Sequence, residues 1–254
     1  MKEFDRENPA NNKINLIKTF TVPIPTREIS ENLNFNAITS SEDSKEKLIK
    51  KAFMLHSQGK IVKAKKYYES LINQGINDHR VYSNYGGILK ELGNFKDAEI
   101  AQRKAIAIKP EFANSHYNLS IILRDIGKIK EAEISIRRAI KLQPELAKSH
   151  STLGSILIDL GKLKEAEISL RKAIKIDSNN ITAYKNLCIC LYLLKDKKAS
   201  LAEIKSAQNI EPNNQDIMLL LNIINHELSI NDTNIEIEKI RSSFFKKEKN
   251  LFIS

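Results

Sequence analysis

Apolar side chains recur along most of this chain in two short stripes with helical spacing, and a turn separates the two stripes. The segment 113–146 contains Leu119, Ile122, Leu123 and Ile126 in its first stripe, and Ala132, Ile136, Ala139 and Ile140 in its second. Apolar residues three and four positions apart share one face of an α-helix. Each such segment is therefore predicted to fold as a pair of antiparallel helices.

The two-stripe pattern returns every 34 residues without an insertion. Residues 147–180 closely repeat residues 113–146, and the register predicts five units at 45–78, 79–112, 113–146, 147–180 and 181–214. A fixed period of this length is typical of a solenoid, whose units bury their apolar faces against their neighbours. Residues 1–44 are predicted to be a flexible leader, and residues 215–254 a partial sixth unit with a C-terminal capping helix.

Glycine marks the turn inside the units, and proline marks the link between them. The turn positions are occupied by Gly59, Gly93, Gly127 and Gly161. A glycine there can adopt the positive φ that ends a helix. The fifth unit has Lys195 at this position, so its turn is predicted to be less favourable. The second helices are predicted to end at Pro110, Pro144 and Pro212.

Small and apolar residues also form columns at the 34-residue period. The columns are Leu119/Leu153/Leu187, Ala98/Ala132/Ala166 and Ala105/Ala139/Ala173/Ala207. Together with the turn glycines and the prolines, they resemble the tetratricopeptide repeat (TPR) family, and most of all the arrays of protein O-linked N-acetylglucosamine transferase-type proteins. The resemblance implies an all-α, right-handed superhelical solenoid preceded by a disordered leader, in which the first helix of each unit lines a concave groove.

A polar column lies on the first helices, and the resemblance implies a role for it. Its members are Asn84, Asn118, Thr152 and Asn186. In the transferase-type arrays, asparagines at this place hold the backbone of an extended peptide, since an amide offers both donors and an acceptor. Ordinary hydrogen bonding between helices is the alternative. Arg80, Arg124 and Lys148 are predicted on the same inner surface, where they would favour acidic side chains.

The formal net charge of +10 comes from 41 basic and 31 acidic residues, and the excess is concentrated in unit 45–78. An excess of this sign fits an acidic or phosphate-bearing partner, while a solvated lysine-rich face is the alternative. Only 6% of the residues are aromatic and no tryptophan is present. The lack of stacking residues and of an arginine cluster argues against nucleic-acid binding.

No catalytic constellation is found in the sequence. The five histidines are spread over the units, and the repeated Lys-Glu-Ala-Glu motifs at Glu131/Glu133 and Glu165/Glu167 are predicted to be surface charges. Cys188 and Cys190 are two positions apart on a helix, so their side chains point in different directions and are predicted to be buried, without a metal or a disulfide. The sequence therefore predicts that the chain is not an enzyme and that it binds no cofactor.

A cytoplasmic protein is expected, because no apolar stretch reaches the roughly 20 residues that span a bilayer and the first residues have no signal-like apolar segment. The sequence leaves the oligomeric state open. The function it favours is a non-catalytic protein–protein interaction scaffold that binds an extended peptide or a partner protein in the groove. The alternative is the substrate-recruiting repeat component of a bacterial glycosyl- or sulfotransferase system whose catalytic domain is on another chain.

Overall fold

The computed structural model describes residues 42–229, and these residues form α-helices without a β-strand among them. The helices are Glu42–Ser57 (α1), Ile61–Asn73 (α2), His79–Glu91 (α3), Phe95–Ile108 (α4), Ala113–Asp125 (α5), Ile129–Leu142 (α6), Ala147–Asp159 (α7), Leu163–Ile176 (α8), Ile181–Leu193 (α9), Lys197–Ile210 (α10) and Gln215–Ser229 (α11). None of them is long and apolar enough to cross a membrane. The prediction of an all-α array of helix pairs is confirmed.

Each odd-numbered helix packs against the even-numbered helix that follows it, and each pair packs against the next. The alanine columns lie at these contacts: Ala132, Ala139, Ala166 and Ala173 are fully buried or almost so. One continuous apolar cluster runs through the third, fourth and fifth units, from Tyr117 to Leu191. The core is thus built between neighbouring units, as a solenoid requires.

The odd-numbered helices lie on the inner side of the array. Consecutive odd-numbered helices also contact each other, as α3 does with α5 and α7 with α9, whereas consecutive even-numbered helices approach each other less. A row of helix pairs with closer spacing on one side must curve toward that side. We therefore call α3, α5, α7 and α9 inner helices, and α4, α6, α8 and α10 outer helices.

The turn inside each unit closes with the hydrogen bonds of a Schellman motif. At Gly127, whose φ is 79°, the Gly127 N–H donates to the Arg124 carbonyl and the Lys128 N–H donates to the Leu123 carbonyl. Lys195 makes the equivalent turn with a φ of 67° and with equivalent bonds. This region costs a non-glycine residue about 1–2 kcal/mol, so the prediction of a less favourable fifth turn is confirmed.

The two ends differ in part from the sequence-based expectation. Helix α1 begins at Glu42, so residues 42–44 belong to the first helix and not to the leader. Helix α11 is the first helix of the sixth unit. The remainder of the predicted leader, residues 1–41, and the predicted capping helix in 230–254 lie outside the described residues.

Close packing inside the fourth unit depends on one glycine. Gly154 of α7 lies against Leu170 of α8, and a Cβ added to Gly154 would overlap the Leu170 side chain at its branch point. Leu170 is fully buried and cannot swing into solvent. The equivalent position of the third unit carries Ser120, whose Cβ is accommodated there.

We expect Gly154→Ala to lower the free energy of unfolding by about 1–3 kcal/mol, the usual cost of overpacking a core. Urea denaturation followed by circular dichroism measures the change. Ser120→Ala is the control, because it adds no volume and removes one local hydrogen bond to the Tyr117 carbonyl, worth about 0.5–1.5 kcal/mol. A Gly154→Ala variant as stable as the native protein would show that Leu170 repacks freely.

Candidate functional site

The polar column lies on the inner helices, and its asparagines are buried. Asn84 of α3, Asn118 of α5 and Asn186 of α9 expose 2%, 1% and 9% of their surface, respectively. Thr152 of α7 is half-buried. The side chains therefore face the contacts between helices more than open solvent.

The column makes hydrogen bonds from one unit to the unit before it. The Asn186 Nδ2 donates to the Ser155 Oγ at 2.6 Å, and the Asn118 Nδ2 lies 3.5 Å from the Ser83 Oγ, at the limit of a hydrogen bond. Both contacts join consecutive inner helices. The column thus takes part in the helix–helix bonding named above as the alternative, while its role toward a peptide stays a prediction.

Two of the amide oxygens have no hydrogen-bond partner among the described residues. They are the Oδ1 atoms of Asn84 and Asn118, and both are inaccessible to solvent. The Tyr68 hydroxyl of α2 lies next to Asn84 but does not complete a bond of normal geometry. Burial raises the pKa of Tyr68, and Asn84 offsets part of this effect. Buried amide oxygens are rarely left unpaired in proteins, so these two need a donor.

Arg80 is engaged in ion pairs within the chain. Its guanidinium donates to both oxygens of Asp78 and to Glu46 of α1, at 2.7 Å and 2.9 Å for the closest pairs. Asp78 also accepts the Arg80 backbone N–H at the start of α3. Burial alone would raise the pKa of Asp78, but the hydrogen bonds from Arg80 hold this pKa below its ordinary value.

Arg124 is buried and pairs with the buried Asp159 of the next inner helix, with 2.7 Å between Nε and Oδ2. Lys90 approaches Asp125 at 3.9 Å, and His56 approaches Glu91 at 3.8 Å, with the same offset of one unit plus one residue. Burial lowers the pKa of Lys90 and raises that of Asp125, because each ion loses hydration that its partner restores only in part.

The three predicted cations therefore do not form one free basic patch. Arg80 and Arg124 are each paired with carboxylates of this chain, and Lys148 of α7 is exposed. Sequence periodicity placed all three on inner helices, but it did not reveal that Glu46 and Asp159 pair with Arg80 and Arg124. Their contact with a ligand stays a prediction.

The repeated Lys-Glu-Ala-Glu motifs form ion pairs between outer helices. Arg137 of α6 bonds both Glu133 of its own helix and Glu165 of α8, and Lys162 bonds Glu133. The hydrogen bond from Lys162 and that from Arg137 lower the pKa of Glu133. These glutamates are thus surface charges, as predicted, and they tie one unit to the next.

The cysteines and the central histidines serve packing. Cys188 and Cys190 are free and buried, as predicted, and burial raises their pKa values to about 12 and about 11. His116 and His150 each place Nε2 within 2.8 Å of the carbonyl oxygen of the proline that ends the preceding unit. Within residues 42–229, no cluster of three or more potential metal ligands occurs.

We expect the contribution of Asp78 to stability to depend on pH. Its pKa lies below 3.8 in the folded chain, so this contribution is present above about pH 4 and is lost as the pH falls through the folded pKa. Asp78→Asn should lower the free energy of unfolding at pH 7 by about 1 kcal/mol, the difference between a charged and a neutral hydrogen bond. The curves of variant and native protein should converge below pH 4.

Urea denaturation at a series of pH values measures this difference. Asp97→Asn is the matched control, because Asp97 lies in the first turn of α4, is exposed and forms no ion pair with the described residues. A difference between Asp78→Asn and native protein that stays constant down to pH 3 would contradict the assignment.

Comparison with known sequences identifies the repeating unit. The sequence model of the tetratricopeptide repeat matches residues 79–112, 113–146 and 147–180. No curated protein matches the sequence significantly.

Solved structures share the helical architecture. The TPR protein YrrB is 20% identical, covers 75% of this chain and 98% of its own, and has a TM-score of 0.59. MamA from Desulfovibrio magneticus RS-1 is 19% identical, covers 67% of this chain and 97% of its own, and has a TM-score of 0.60. The TPR protein TTC0263 from Thermus thermophilus is 18% identical, covers 71% of this chain and 98% of its own, and has a TM-score of 0.58. Residues 79–180 match the tetratricopeptide repeat model three times in succession, and the helix pairs have the fold of a TPR solenoid.

Proposed function

We propose that this chain is a non-catalytic scaffold that binds an extended peptide segment of a partner protein along its inner helices. The partner's main chain would run across the polar column, where side-chain amides pair with peptide groups whatever the peptide sequence. The repeats would supply a rigid surface, and the specificity would come from the side chains beside the column.

The observation that carries the proposal is the pair of unpartnered amide oxygens on consecutive inner helices. The Oδ1 atoms of Asn84 and Asn118 are buried without a donor among residues 42–229, and a buried acceptor left unpaired costs about 1–3 kcal/mol. An N–H group of a bound peptide is a donor of the required kind, and binding requires the side chains that cover the two oxygens to open, because both atoms are inaccessible to solvent in the free chain. Because the two asparagines are 34 residues apart in equivalent positions, one extended segment can reach both.

One comparison supports this ligand class. The structural neighbour YrrB is described as a TPR protein with an unusual peptide-binding site. The resemblance of the asparagine column to the O-linked N-acetylglucosamine transferase-type arrays, in which asparagines hold peptide backbone, stays a prediction from the sequence. This resemblance is the basis of the alternative function, in which the peptide belongs to a substrate or subunit of a glycosyl- or sulfotransferase on another chain.

A preference for acidic peptides is the finer part of the proposal. Arg80 and Arg124 already pair with Asp78, Glu46 and Asp159. The preference would therefore depend mainly on the long-range attraction of a chain with a net charge of +10. Backbone pairing, which is independent of this charge, remains the main source of affinity.

The test is a titration with a peptide selected from a random peptide library on the native protein. Asn84→Ala combined with Asn118→Ala removes at least two hydrogen bonds, each worth about 0.5–1.5 kcal/mol. We expect the affinity to fall about tenfold or more, since about 1.4 kcal/mol corresponds to a factor of ten. Fluorescence anisotropy measures the affinity, and thermal unfolding is followed on the same samples.

Asn94→Ala combined with Asn209→Ala is the matched control, because both of these asparagines are exposed and neither is part of an inner helix. This control should bind the peptide like the native protein. Unchanged affinity in the Asn84/Asn118 variant would reject the proposal. A melting temperature that collapses while the residual folded protein still binds would assign the two asparagines to the helix contacts alone.

A further inference from the structure

Three isoleucines form a row on the outer helices, on the side away from the core. Ile100 of α4, Ile134 of α6 and Ile168 of α8 expose 66%, 71% and 70% of their surface. They are 34 residues apart and therefore occupy the same position in three consecutive units. We call these isoleucines and their basic neighbours the outer ridge.

The packing of the solenoid does not explain this row. In α6 the side chain of Ile136 is fully buried, and Ile134 is two residues away, about 200° around the helix. An apolar residue at this angle contributes nothing to the contacts between units. Single exposed apolar residues are normal on protein surfaces, but the same isoleucine in three successive units gives a regular row of apolar side chains with ion pairs between them.

Basic side chains flank each isoleucine one helical turn before and after. They are Lys96 and Lys104 in α4, Lys130 and Arg138 in α6, and Lys164 and Lys172 in α8, and Lys141 and Lys175 follow two turns after Ile134 and Ile168. Residues four positions apart lie on the same face of a helix. Lys164 and Lys172 approach Glu167 and Glu145, whereas the other six form no ion pair with residues of the described array.

Of the three acidic residues that lie three positions before the isoleucines, two are neutralised, and Asp97 forms no ion pair with the described residues. Glu131 and Glu165 accept from Arg103 and Arg137 of the preceding outer helices. These bonds fill the spaces between neighbouring outer helices. The outer ridge thus presents isoleucine flanked by positive charge, with little negative charge left to compensate it.

The outer ridge is confined to three units. The equivalent positions in the first and fifth units are occupied by Lys66 and Ala202. Helices in packing contact are about 10 Å apart, and the outer helices are spaced more widely, so the row of isoleucines is at least about 20 Å long. A partner helix of about four turns or more, with a pitch of about 5.4 Å, can span it.

We propose that the outer ridge is a second docking surface, which binds an acidic amphipathic helix of a partner protein. The apolar face of that helix would cover the three isoleucines, and its glutamates or aspartates would lie against the flanking lysines. As in other complexes of amphipathic helices, the apolar anchors would lie on one face of the partner helix, and the opposite charges would speed association and reject basic competitors.

Charge decides between this partner and the other occupants. A second copy of this chain would bring an equally basic ridge, and the segment 244–250 of this chain, Phe-Phe-Lys-Lys-Glu-Lys-Asn, is itself basic. Both would be repelled. An anionic lipid surface would match the charge, but the ridge positions carry no tryptophan, tyrosine or phenylalanine, the side chains that anchor proteins at a bilayer interface.

The test uses a fluorescent synthetic peptide with leucine at helical spacing and glutamate on the flanking positions. Its charge-inverted counterpart, with lysine for glutamate, is titrated in parallel, as are vesicles of phosphatidylglycerol and phosphatidylcholine. We expect the full-length protein to bind the acidic peptide at least tenfold more tightly than the basic one. This affinity should weaken as salt screens the flanking charges.

Two variants of the outer ridge should each reduce the affinity for the acidic peptide at least tenfold. One replaces the three isoleucines by serine, and the other combines Lys130→Glu, Arg138→Glu and Lys141→Glu. Met218→Ser is the matched control, because Met218 is 46% exposed but lies on α11, two units beyond the outer ridge, and it should bind like the native protein. Circular dichroism checks that all variants keep their helices.

Three results would each overturn the proposal. The first is no measurable binding of the acidic peptide by the native protein. The second is equal binding by the isoleucine variant, which would reduce the effect to general attraction by a basic protein. The third is binding of vesicles that depends on the isoleucines while the peptide does not bind, which would make the outer ridge a membrane-binding surface.

Discussion

The contact between consecutive helix pairs is the interaction on which this structure depends. No unit has enough apolar surface on its own to form a core, and alanines such as Ala139 and Ala173 let each pair approach the next closely. The buried cluster that extends from Tyr117 to Leu191 is the result. Stability in such an array is approximately a sum of unit and neighbour terms, so a change in one unit is felt mainly by the units beside it.

Polar bonding follows the same neighbour rule on both sides of the array. On the inner side, Asn186 bonds Ser155 and Arg124 bonds Asp159 across one unit boundary. On the outer side, Arg137 bonds Glu165 across another. The inner bonds are buried and hold the curvature, because they join the helices that approach most closely. The outer bonds are exposed, and each is worth little by itself, but they remove acidic charge from the surface next to the isoleucines.

The sequence predicted the helix pairs, the turn positions and the buried alanine columns, because all three follow from the 34-residue period. It did not predict that Asn84 and Asn118 would be buried. The period fixes the helix on which a residue lies, whereas the rotation of one inner helix against the next depends on packing that no single unit encodes. The isoleucine at position 134 was also missed. Its signal was present in the sequence, as an apolar residue out of phase with the stripe that contains Ile136.

The turn at Lys195 makes the two ends of the array unequal in their free energy of local unfolding. The other turns inside units use glycine, which adopts a positive φ without a steric penalty. The strain at Lys195 is stored at the link between α9 and α10, and only α11 follows this pair among the described residues. In a chain of nearest-neighbour contacts, a weak link near one terminus lowers the energy of opening that terminus alone. When the helices after this turn open locally, the repeats that carry Asn84, Asn118 and the three isoleucines therefore stay folded.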